Sequence, residues 1–113
     1  MPEQLNQRAY FVVQCVLAYP SFEDARANAP DELAAHMQRS NELHASGAVL
    51  MAGAFLDTAD GRLSTMAITR SREDAEDYVH SDPFYLNGMM ASWTIREWAN
   101  MFAPRPPEPG ARA

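Results

Sequence analysis

An α+β fold is what this 113-residue sequence predicts, and three observations lead to it. Four apolar runs have the length and the β-branched and aromatic content of strands. Two segments whose apolar residues recur at three- and four-residue steps lie between the first and second runs and between the third and fourth. Turn chemistry, Ala59-Asp60-Gly61, joins the second run to the third. The resulting order is β-α-β-β-α-β, the split βαβ arrangement of ferredoxin-like folds, with four antiparallel strands and two helices on one face.

The first run, Tyr10 to Leu17, is apolar on both faces: Phe11, Val13, Cys15 and Leu17 alternate with Tyr10, Val12, Gln14 and Val16. A strand with one wet face alternates more cleanly, so helices are expected on one side and another cover on the other. Ala18 to Ala29 reads as a polar connection. Pro30 then opens a helix whose first turn holds Asp31 and Glu32, where negative charge complements the helix dipole, and Gly47 closes it. Leu33, His36, Met37, Ser40, Leu43 and His44 share one face of that helix, which points His36 toward the sheet.

Ala48 to Leu56 forms the second strand, interrupted by Gly53, which marks a bulge or the border of a pocket. Leu63 to Thr69 is the third. Ser71, with Asp74 three residues on, caps a second helix that ends near His80, and Met89 to Trp98 alternates as the last strand. The domain therefore runs from residue 1 to 102, and 103–113, rich in proline, is expected to be a flexible tail.

Composition narrows the function. The formal charge is −6, Lys is absent, and no Arg cluster falls on a helix, so nucleic acid is not expected as a partner. The single cysteine, Cys15, lies in an apolar run and is expected as a buried core thiol. The start of the chain has no basic leader followed by a long apolar stretch, so no membrane is expected and the cytoplasm is the expected location. No phosphate loop, dinucleotide fingerprint or nucleophile elbow is present, and the three histidines lack metal-site spacing; the expectation is no cofactor and no metal. Covering the second sheet face by a copy of the same chain makes a homodimer the expected assembly.

Candidate chemistry gathers at Ser81-Asp82-Pro83-Phe84-Tyr85. Asp82 before Pro83 has the form of a helix N-cap, a purely structural use. Its chemical use needs a second titratable group, and His36 on the inward helix face is the candidate. An imidazole titrates near neutrality, and a carboxylate beside it fixes its tautomer and stabilises the cation formed. Phe84, Tyr85 and Trp93 are candidate walls for a flat ring, with Ser64 as a hydrogen-bond donor to a developing oxyanion. His44 and His80 are expected at the surface or at helix ends.

The segments Glu32-Leu33-Ala34-Ala35-His36-Met37, Ser46 to Ala54, Ser71-Arg72-Glu73-Asp74-Ala75 and Ser81-Asp82-Pro83-Phe84 together resemble the YciI-like (YCII-related) family over about Tyr10 to Trp98. That resemblance implies a dimeric α+β barrel in which His36 and Asp82 form the active-site pair. It further implies a cofactor-independent enzyme of isomerase or lyase (dehydrohalogenase) type acting on a small cyclic or aromatic metabolite. The alternatives are a non-catalytic ligand-binding or accessory dimer and a cofactor-free quinone-forming monooxygenase.

Overall fold

The first apolar run becomes an inner strand of the sheet, paired on both sides. The computed structural model describes residues 9–58 and 61–102, and in it β1 spans Ala9–Leu17. β2 (Met51–Ala54), β3 (Ser64–Thr69) and β4 (Met90–Ala99) complete a four-stranded sheet in the order β2-β3-β1-β4, with every neighbouring pair antiparallel. Pairing Val13 with Ala67 and Ile95, and Cys15 with Thr65 and Trp93, sends the odd-numbered residues of the three strands to one face. Four helices accompany the sheet in chain order: α1 (Phe22–Asn28), α2 (Pro30–Ser46), α3 (Arg72–His80) and α4 (Pro83–Leu86). This is the expected ferredoxin-like α+β arrangement, with α2 and α3 as its two principal helices.

Two differences from the sequence reading stand out. The connection 18–29 is not merely polar coil, because Phe22–Asn28 is helical. Ser21 accepts from the Asp24 N–H at 3.1 Å and donates its hydroxyl to the Asp24 carboxylate at 2.8 Å, the same Ser-x-x-Asp device that opens α3 at Ser71. The second strand is also shorter than 48–56. Gly47 ends α2 in the left-handed region at φ +88°, and the chain joins the β3 ladder only with the Leu50 N–H to Ile68 carbonyl bond at 2.8 Å. Gly53 keeps regular register opposite Met66 and makes no bulge; the irregularity lies between Val16 and Leu17 against β4. The Pro-rich segment 103–113, residues 1–8, and the turn residues Ala59 and Asp60 lie outside the described residues.

Buried side chains form two clusters. Val13, Cys15, Val49, Ala67, Ala75, Tyr78 and Val79 fill the space between the sheet and α3. Leu17, Ala25, Ala29, Leu33, Leu63 and Phe84 form the second, where α1 packs against α2 and α2 against α4. Burying a residue such as Phe84, 1% exposed, contributes roughly 1.5–3 kcal/mol, so the short helices α1 and α4 are held by packing rather than by their own propensity. Cys15 is buried, as its apolar run implied. Among the described residues no helix is long and apolar enough to cross a membrane.

Candidate active site

The site begins with a local backbone requirement. After α3 the chain turns at Ser81, and Pro83 starts α4 with the φ of a first helical residue. Asp82 has extended backbone and caps the new helix, its Oδ1 accepting from the Phe84 N–H at 2.7 Å. That leaves Oδ2, which lies 2.8 Å from His36 Nδ1. The structural and chemical uses of Asp82 are therefore not rivals, because each takes one oxygen of the same carboxylate. With Oδ2 as acceptor, Nδ1 carries the hydrogen and Nε2 is the basic nitrogen. Asp82 is 2% exposed, and its two hydrogen bonds offset the several kcal/mol that an unpaired buried carboxylate costs.

One further contact holds the imidazole, and a neighbouring side chain holds the helix that carries it. The Phe84 ring lies 5.3 Å from it, centroid to centroid, and is itself anchored in the cluster built by α1. Arg39, one turn on from His36, donates to the Tyr78 carbonyl at 3.2 Å, to the Asp77 carbonyl at 2.9 Å, to the Asp77 carboxylate at 3.2 Å, and to the Ser81 hydroxyl. A guanidinium on the last carbonyls of α3 complements the negative end of that helix and ties α2 to it. These bonds set the register in which His36 meets Asp82.

A cavity of about 560 Å³ opens beside this pair, between α2 and the edge strand β2. His36, Ser40 and His44 line it at one-turn intervals along α2, while Met51, Ala52, Gly53 and Ala54 form the opposite wall and Phe22 of α1 reaches its rim. Gly53 does border a pocket, as one of its two sequence readings held. Thr65 of β3 and the largely buried Tyr78 of α3 complete the lining. Burial and the nearby Asp82 charge push the Tyr78 phenol up to about 12, with its hydrogen bond to Ser40 and the Arg39 charge opposing that rise. Burial likewise pushes the Cys15 thiol up to about 12, with the Asp82 charge adding and a hydrogen bond to Thr65 opposing. Both groups stay protonated and neutral at physiological pH, so Cys15 is no thiolate nucleophile.

Of the six residues singled out from sequence, three converge. His36 lines the cavity, Asp82 stands behind it, and Phe84 backs the imidazole instead of forming a wall for a ligand. The other three lie elsewhere. Ser64 falls on the opposite sheet face, because strand alternation gives the cavity Thr65. Tyr85 follows the inward-turned Phe84 by about 100° around the helix and meets His80, ring centroids 5.2 Å apart. Trp93 also packs edge-on against His80, at 5.3 Å, because β4 is the sheet edge farthest from β2. Sequence reasoning missed Tyr78, Thr65 and Phe22. Tyr78 lies on α3, and its spacing of four from Asp82 was the available clue.

A family model described as the YCII-related domain matches residues 13–99. A search of curated protein sequences gives no significant match. Among solved structures, the chain is similar to the 5-chloro-2-hydroxyhydroquinone dehydrochlorinase of Burkholderia phenoliruptrix AC1100, in complex with 2,5-dihydroxybenzoquinone, at 23% identity and TM-score 0.57. That alignment covers 79% of this chain and 92% of the other. Weaker similarity is found to Rv0793 of Mycobacterium tuberculosis, at 15% identity and TM-score 0.48 over 86% of this chain and 98% of that one. A dimeric ferredoxin-like protein of unknown function from Thermobifida fusca aligns at 15% identity and TM-score 0.42, over 83% of this chain and 93% of that one.

Proposed function

The chain belongs to the YCII-related family, and from that premise we propose that it is an acid–base enzyme of lyase or isomerase type in which His36 is the base and Asp82 its positioning partner. The observation that carries this is the 2.8 Å contact between His36 Nδ1 and a buried Asp82 at the wall of a cavity large enough for a small ring. The similarity to a dehydrochlorinase with a bound dihydroxybenzoquinone supports a hydroxylated aromatic or quinonoid ring as the substrate class.

Nε2 of His36 takes a proton from a ring hydroxyl or an acidic ring carbon. In the lyase case that hydroxyl proton is returned to the halogen-bearing carbon, giving the keto tautomer; His36 then takes a second hydroxyl proton, whose electron pair forms a carbonyl and a new ring double bond as the halide departs with its bonding pair, and the imidazolium returns its proton to solvent, so the net loss is HX. In the isomerase case the same proton is returned to a different carbon. Asp82 stabilises the imidazolium without itself taking the proton.

The test is chloride release from a panel of chlorinated hydroquinones, alongside solvent deuterium uptake by their unchlorinated counterparts. His36→Ala is expected to lose at least about 10²-fold in both, and Asp82→Asn about 10-fold or more, with cooperative unfolding retained. Equal deuterium uptake by wild type and His36→Ala would remove the imidazole from the reaction.

We further propose a homodimer closed across the bare sheet face. Val12, Met66, Ile68 and Trp98, 45% exposed, line a depression of about 330 Å³ on that face together with Gln14, Arg96 and Glu97. An apolar patch rimmed by polar side chains is the usual form of a protein–protein contact surface.

A further inference from the structure

The cavity has a second polar station besides the imidazole. His36 meets Asp82 and Arg39 donates to the Tyr78 carbonyl, so α2 passes the end of α3 with Ser40 one turn on from His36 and Tyr78 four residues back from Asp82, and Ser40 and Tyr78 share a side-chain hydrogen bond. Both Ser40 and Tyr78 line the cavity. One helical turn, about 6 Å, separates Ser40 from His36, close to the span of a six-membered ring with its substituents. We propose that Tyr78 is a further catalytic residue whose phenolic O–H, oriented by Ser40, donates a hydrogen bond to the ring oxygen on which negative charge collects when His36 removes a proton. This rests on the acid–base reading above and narrows its substrate to a ring carrying an oxygen across from the position His36 attacks.

The surroundings of Tyr78 fit a donor. A phenol can both accept and donate, so with Ser40 as the donor of the bond they share, the phenol hydrogen is left for the ligand. The charged groups acting on it are Asp82, which discourages ionisation, and Arg39 of α2, whose guanidinium is engaged by the end of α3. Cys15 of β1, buried and protonated, adds no charge. Tyr78 therefore keeps its proton throughout: the substrate proton moves to His36, the charge moves to the ring oxygen, and no bond to Tyr78 forms or breaks. A preformed donor aimed at developing charge is worth more in such a low-dielectric site than in water.

The test uses the full chain and 4-nitrophenol, whose phenolate absorbs visibly. Wild type, Tyr78→Phe, Ser40→Ala and His36→Ala are each saturated with the probe and titrated with pH, and thermal unfolding checks their folds. Wild type is expected to lower the apparent pKa of the bound phenol by about one unit, a tenfold gain in anion. Tyr78→Phe returns most of that shift, and Ser40→Ala, which loses only the orienting bond, returns part of it with the fold intact. A wild-type shift retained in full by Tyr78→Phe, or no shift in the wild type, overturns the proposal. The His36→Ala titration and its deuterium uptake read the base separately, so the second station can fail while the acid–base reading stands.

Discussion

Asp82 shows how one side chain can be asked to do two things, and the two can be separated by substitution. Asp82→Asn keeps an acceptor for the Phe84 N–H and removes the charge; Asp82→Ala removes the cap, the His36 bond and the charge. Urea unfolding is expected to place the alanine variant about 2–3 kcal/mol below wild type and the asparagine variant within about 1 kcal/mol of it, with both impaired in turnover. Equal losses of stability would mean that the cap bond contributes nothing. Cys15 and Tyr78 make a second prediction at this scale. Each has its folded pKa raised, to about 12, from ordinary values of 9.0 and 10.0. The folded state thus binds these protons more tightly than the unfolded chain does. Their contribution is fully present below pH 9 and is lost as the pH rises from about 9 toward 12, at up to about 1.4 kcal/mol per pH unit for each group above its unfolded value. Unfolding midpoints measured from about pH 8 to about pH 11 should fall accordingly, and Cys15→Ala should delay the onset of the fall toward pH 10. A midpoint independent of pH over that range would contradict it.

At the scale of elements, what could be read from the sequence was whatever periodicity and punctuation dictate locally. The first strand, the span from Pro30 to Gly47 and the Ser71 cap each have a strong local cause, and all three stand in the structure. α1 was not legible as a helix because its seven residues carry little apolar periodicity; Ala25 and Ala29 are buried, but alanine gives a weak pattern. Its Ser21 cap was nonetheless written in the same form as that of Ser71. The site divides along the same line. His36 and Asp82 were reachable because helix face, turn chemistry and family resemblance all pointed at them. Ser64, Tyr85 and Trp93 were misplaced because a site wall depends on strand parity and on which sheet edge is meant, and neither is fixed until strand order is known. Tyr78 went unnoticed because its partner Ser40 is 38 residues away in sequence and meets it only through helix packing.

For the molecule as a whole, the sheet separates two surfaces: one face carries the core and the cavity beside His36, the other the patch on which a partner copy is proposed to sit. Ile68→Glu sets a charge on that second face, beside Val12 in the β1–β3 register, without touching the cavity lining. Sedimentation should show wild type as a dimer and this variant shifted to monomer with its fold retained; a monomeric wild type would overturn the assembly. The divided carboxylate also bears on descent. A related chain without turnover would still be selected to keep the aspartate, since its turn needs a cap, whereas the second oxygen asks only for some hydrogen-bond donor and not for an imidazole in particular. In surveying relatives for activity, the informative position is therefore 36, and an Asp-Pro-Phe without its histidine marks shared ancestry alone.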